Sequence, residues 1–118
     1  MIVESNASLQ PYNTFGIVAR AKTLVRVKGA ADVHAVLAHP ELGGQPKFIL
    51  GGGSNIVLTG DVKAVVLKVE VMGKRVLEDG PRATLVEFGA GENWHEAVTW
   101  TIEQGLGGLE NLALIPGT

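Results

Sequence analysis

The chain has 118 residues, 10 Lys and Arg against 12 Asp and Glu, a formal net charge of −2, 16 glycines and no cysteine. That length makes about one domain, and the charge excludes a basic face for nucleic acid or an anionic membrane. The missing cysteine excludes a disulfide framework and a thiolate metal site, and no apolar run nears the ~20 residues of a membrane span. A cytoplasmic protein with no nucleic-acid or membrane partner is therefore expected. No metal site is expected either, because His34, His39 and His95 lack the spacing that sets two imidazoles and a carboxylate on one helical face.

Met1 to Leu9 is weakly patterned and is expected to be partly mobile. Gln10 to Ile17 packs Tyr12 and Phe15 around a polar Asn13-Thr14 pair and ends near Gly16, which marks a pinned segment. Lys22 to Lys28 alternates, with Thr23, Val25 and Val27 on one face and Arg26 and Lys28 on the other, and predicts a half-buried strand. Asp32 is placed to cap a helix reaching about His39, with Val33, Val36 and Leu37 as its apolar stripe and Pro40 as its stop. His34 and His39 fall at the edge of that helix and read as solvated.

The stretch Lys47 to Asn55 carries the strongest chemical signal. Phe48-Ile49-Leu50 predicts a buried strand that runs directly into Gly51-Gly52-Gly53-Ser54-Asn55. Consecutive glycines allow backbone N–H groups to turn inward and form a concavity for an anion such as a pyrophosphate, with Ser54 and Asn55 adding hydrogen bonds. The same composition also serves an ordinary turn. The P-loop ending is absent, Ile56 stands where G-x-G-x-x-G needs its third glycine, and the sequence to Asp61 opens no helix. Any anion site here is a loop between two strands.

Ala64 to Val69 is apolar enough for a strand covered on both faces. Lys74 to Glu78 and Ala83 to Ala90 predict a hairpin turned by Asp79-Gly80-Pro81. In Gly89-Ala90-Gly91-Glu92-Asn93-Trp94 the glycines do open a helix, with Asn93 as N-cap, Glu96 as its capping-box partner and Gly105 as the C-terminal stop. Trp94, Ala97, Val98 and Ile102 predict its buried face, and His95 reads as a surface partner of Glu92 and Glu96. The apolar run from Leu106 to Thr118 lacks a covering element, so further chain is expected to pack against it.

Four stretches, Pro11 to Gly16, Leu50 to Asn55, Gly89 to Trp94 and Gly108 to Gly117, together resemble the UDP-N-acetylenolpyruvoylglucosamine reductases, bacterial flavoenzymes of peptidoglycan synthesis. The glycine loop alone is shared by many flavoproteins of the vanillyl-alcohol oxidase type. The Asn-Thr-Phe-Gly and Gly-Leu-Glu-Asn-Leu-Ala-Leu-Ile-Pro-Gly runs are narrower signals. The resemblance implies an α+β FAD-binding domain of the vanillyl-alcohol oxidase / PCMH type. Its small β-α-β-β subdomain would span 1–69, and a second α+β subdomain would begin at 70–118, with FAD between them and the substrate-binding domain outside this stretch. It implies that Gly51, Gly52, Gly53, Ser54 and Asn55 hold the pyrophosphate, that Ile115, Pro116, Gly117 and Thr118 line the flavin side, and that Asn13 and Thr14 sit nearby.

The family reaction passes hydride from NADPH to flavin and from flavin to the enolpyruvyl group of a UDP-sugar. Its proton-donating serine and its stabilising arginine and glutamate lie after the Ile-Pro-Gly run, so no catalytic residue is carried onto this stretch. Alone, these 118 residues are expected to supply half a flavin cleft, to lack activity and to hold FAD weakly. The rival readings are a sugar or lactone oxidase of the same fold and a non-enzymatic binding module.

Overall fold

The computed structural model describes all 118 residues. Eight elements carry the fold: β1 (Ile2–Ser8), β2 (Arg20–Val27), α1 (Ala30–Ala38), β3 (Lys47–Leu50), β4 (Val62–Val69), β5 (Lys74–Asp79), β6 (Thr84–Phe88) and α2 (Trp94–Glu103). The first five build one sheet in the order β1-β2-β4-β3 with α1 beside it, and β5 and β6 form a separate hairpin. The fold is α+β: β1 runs antiparallel to β2, whereas β2 and β3 both run parallel to β4.

Burial follows from that order. β4 lies between two strands, so Val65, Val66 and Leu67 are all buried, as a doubly covered strand requires. On one face Leu24, Leu50 and Val66 meet Leu9, Ala19 and Leu58. On the other, Val25, Val27, Val65 and Leu67 meet Val36 of α1 and Leu42. Each of the leucine and valine side chains contributes roughly 1.5–3 kcal/mol by leaving water.

Four sequence expectations are corrected here. The first residues form the edge strand β1, held by its ladder with β2 and by Arg20, whose Nη2 donates to the Asn6 carbonyl at 2.9 Å. Gly29, not Asp32, occupies the cap position of α1; Asp32 lies in the first turn and accepts the Lys28 N–H at 2.8 Å. A carboxylate there still suits the positive end of the helix dipole. Of the apolar stripe only Val36 is buried, because α1 meets the sheet along one narrow line and leaves Val33 and Leu37 36% and 58% exposed. Ile49 is 63% exposed because β3 is the other sheet edge.

The hairpin and α2 form the second unit. Asn93 Oδ1 accepts the Glu96 N–H at 3.0 Å, so the cap stands, and Gly105 takes φ +76° after the helix. Its inner face is Ala97, Val98 and Thr101; Ile102 is 51% exposed, so the face is turned by one residue from the expected one. Trp100 meets Phe88 edge-on at 5.6 Å.

The link between the units is clamped by backbone. Gly89 and Gly91 donate to the carbonyls of Gly73 and Val71 at 2.8 and 2.7 Å. The buried Glu92 carboxylate accepts the Gly73 N–H at 2.8 Å and lies 3.3 Å from Lys74 Nζ. The Gly73 N–H holds the Glu92 carboxyl below its ordinary range; burial opposes this and Lys74 assists. A lowered native value means that Glu92 stabilises the fold fully above the ordinary carboxylate range. That contribution is lost as pH falls through the lowered value. Glu92→Gln is expected to flatten the acid limb of urea midpoints measured from about pH 6 to about pH 2; an unchanged acid limb would show that Glu92 does not hold the link.

Candidate functional site

β3 and β4 are parallel neighbours, so the chain must travel back along a full strand between Leu50 and Val62. It does so without a helix: residues 51–55 make a bend, and residues 56–61 cross one face of the sheet, where Leu58 is buried. The sequence expectation of a glycine loop between strands matches this path.

Within the bend the three glycines have different surroundings. Gly53 is buried at φ +69°, and a Cβ placed on it would stand 1.9 Å from the Tyr12 carbonyl oxygen and 2.9 Å from Asn13 Cα. Its carbonyl accepts the Thr14 N–H at 3.0 Å. Only glycine allows so close an approach in that conformation. Gly52 is exposed, and a Cβ there would meet nothing nearer than 3.5 Å.

The other sequence-predicted residues converge on this bend. The Asn13 carboxamide is buried, donating to the carbonyls of Leu9 at 2.8 Å and Ile17 at 3.1 Å and accepting the Ile17 N–H at 2.9 Å. Asn13 thus brackets the 9–17 loop, and its side chain is fully engaged in doing so. From the far end of the chain, Gly117 and Thr118 lie over the bend. A Cβ on Gly51 would be 2.7 Å from Thr118 Oγ1, and one on Gly117 would be 2.9 Å from Ser54 Oγ. Ile115 and Pro116 are exposed beside them.

None of the backbone N–H groups from Gly51 to Asn55 donates to an acceptor of the protein, and neither the Ser54 hydroxyl nor the Asn55 carboxamide is bonded. No hollow of the structure is lined by residues 51–55. The loop is an open rim covered in part by Thr118. A hollow of about 530 Å³ lies elsewhere, between the β5–β6 turn and Gly105 to Leu109.

Two features escaped sequence reasoning. Arg26, expected on a polar face, reaches Glu70 at 2.5 Å and Glu4 at 3.4 Å, donates to the Tyr12 hydroxyl, and lies 5.4 Å from the Tyr12 ring centre. Lys68 lies 5.9 Å from the same ring and takes part in no ion pair; it is paired in register with Leu50, the residue before the bend. A cation without a carboxylate partner therefore stands on the strand next to the bend. The second feature is the first turn of α2. Trp94, expected in the core, is half-buried and donates its N–H to the Gly117 carbonyl at 2.9 Å and its Nε1–H to the Leu112 carbonyl at 2.8 Å. His95 bonds neither Glu92 nor Glu96; its Nδ1 accepts the Leu114 N–H at 3.0 Å. A half-buried indole N–H needs an acceptor, which was the one signal in the sequence for this role.

Free consecutive amides, exposed glycine and a cation on the next strand suit a diphosphate held by main chain. The FAD binding domain family matches residues 21–118. A UDP-N-acetylenolpyruvoylglucosamine reductase from Azoarcus sp. is 53% identical over 122 residues, covering 100% of this chain and 35% of the relative. The enzyme of that name from Pseudomonas aeruginosa is 48% identical over 116 residues, covering 98% of this chain and 34% of the relative. The crystal structure of UDP-N-acetylenolpyruvylglucosamine reductase from Thermus caldophilus superposes with a TM-score of 0.71 at 26% identity, over 99% of this chain and 39% of that one. The chain spans about a third of the length of these relatives. It belongs to the FAD-binding domain family, with its glycine loop and its Ile115–Thr118 segment both inside the matched span.

Proposed function

We propose that this chain supplies the FAD-holding part of a reductase that converts UDP-N-acetylenolpyruvoylglucosamine to UDP-N-acetylmuramate in peptidoglycan synthesis, with NADPH as hydride donor. The observation that carries the cofactor reading is the run of unpaired amides from Gly51 to Asn55. The similarity to the Azoarcus and Pseudomonas enzymes across nearly the whole chain supports the choice of substrate.

In this reading Gly51, Gly52, Gly53, Ser54 and Asn55 hold the pyrophosphate of FAD through backbone N–H groups, the Ser54 hydroxyl and the Asn55 carboxamide. Gly53 fixes the bend against Tyr12, and Asn13 and Thr14 fix the loop beneath it. Ile115, Pro116, Gly117 and Thr118 border the flavin side. Residues 1–69 form the first FAD-binding subdomain, and 70–118 begin the second. FAD when bound supplies the hydride chemistry. The residues of this chain bind and orient it, and the groups that protonate the substrate lie outside this stretch. The reaction belongs in the cytoplasm, where NADPH and the UDP-sugar are its small-molecule partners.

Extended to the length of its relatives, the purified protein is expected to be yellow and to oxidise NADPH only when the enolpyruvyl UDP-sugar is present. The 118-residue chain should take up FAD weakly and reduce nothing. Oxygen consumption with a simple sugar and no NADPH would point to an oxidase of the same fold. Colourless protein that takes up no added FAD would end the flavin reading.

A further inference from the structure

We propose that His95 is a positioning residue: with Nδ1 unprotonated it latches the Leu114–Thr118 segment over the glycine loop, and protonation of the ring releases that latch. The consequence for FAD rests on the function proposed above; the latch itself does not.

Two bonds tie the segment to the first turn of α2, the Trp94 N–H to the Gly117 carbonyl and the Leu114 N–H to His95 Nδ1, and a third, from Trp94 Nε1, holds Leu112 just before it. Burial does not hold Leu114, which is 79% exposed. Leu114 also sits at φ +64°, a left-handed conformation disfavoured for any residue with a side chain. Its own N–H is the donor to His95. Three residues on, Gly117 and Thr118 approach Ser54 and Gly51. To accept that N–H, Nδ1 must carry its lone pair, which puts the ring proton on Nε2. A second proton would set N–H against N–H at Leu114. Imidazole exchanges the one state for the other by taking up a single proton. The charged residues nearest along the chain are Glu92 and Glu96, and Glu110 lies in the 3-10 turn packed on α2. Glu92 is tied to Gly73 and Lys74, and Glu110 to the Gly108 N–H at 2.6 Å.

The test is nitrogen-15 NMR on the 118-residue chain for the latch, with FAD binding measured on the protein extended to the length of its relatives. At about pH 7.5 His95 should show the Nε2–H tautomer, and the Leu114 amide should titrate in step with the ring. The FAD dissociation constant should rise about fivefold between about pH 7.5 and about pH 5.5, the size of one net hydrogen bond. His95→Asn, whose carboxamide oxygen accepts at any pH, should hold the Leu114 amide in place and remove the pH dependence. His95→Phe should be weak throughout. A Leu114 amide that ignores His95, or FAD binding whose pH profile is the same in His95→Asn as in the parent, would overturn the proposal. If Leu114 follows His95 while the protein extended to the length of its relatives binds FAD at no pH, the latch stands and the flavin reading falls.

Discussion

Alanine at position 53 is expected to cost the fold about 4 kcal/mol or more, the range reserved for gross steric conflict. The left-handed φ of +69° accounts for part of this. The larger part is the new Cβ, 1.9 Å from the Tyr12 carbonyl oxygen, where the obstacle is backbone and cannot rotate away. Relief requires moving the loop that Asn13 brackets. With domain stabilities of about 5–15 kcal/mol, much of the variant should be unfolded without denaturant. Alanine at 52 is the informative partner. Its Cβ meets nothing nearer than 3.5 Å, so the urea midpoint should change little, by less than about 1 kcal/mol. The added methyl stands on the exposed rim, and FAD affinity should fall about tenfold, or ~1.4 kcal/mol. Equal stability losses at 52 and 53 would mean that the bend has no open side.

Asn13→Ala is expected to cost about 3 kcal/mol by urea unfolding, from three lost hydrogen bonds at about 1 kcal/mol each. The site needs two donors facing the Leu9 and Ile17 carbonyls and one acceptor facing the Ile17 N–H, a set that only a carboxamide provides. Asn13→Asp should therefore be as damaging near neutral pH, because its carboxylate meets two carbonyl oxygens. Stability close to the parent in both variants would show that the 9–17 loop is held by Tyr12 and Leu9 alone.

Elements whose pattern is local were legible in the sequence. The Asn93 cap, the Gly105 stop, the β5–β6 hairpin and the doubly covered β4 follow from capping chemistry, turn residues and an unbroken apolar run. β1 was not legible because an edge strand needs backbone pairing more than an apolar face, and Ile2 to Ser8 is largely exposed. The turned face of α2, with Thr101 buried where Ile102 was expected, is set by what the helix packs on. At the site, the glycine loop was readable as a strand-to-strand bend because no helix could follow it. The fall of Gly117 and Thr118 onto Gly51, and the bond between His95 and Leu114, are tertiary and left no periodic trace. Asn13 was visible as a polar residue between aromatics, but its role as a bracket depends on the i to i+4 closure of one loop.

The central claim is that unpaired main-chain N–H groups of the bend receive the diphosphate of FAD. Amide resonances of the 118-residue chain, followed as FAD or riboflavin is added, test it most directly. Gly51, Gly52, Gly53, Ser54 and Asn55 should shift progressively with FAD and stay still with riboflavin, which lacks phosphate. FAD that moves other amides and leaves these in place would contradict the account.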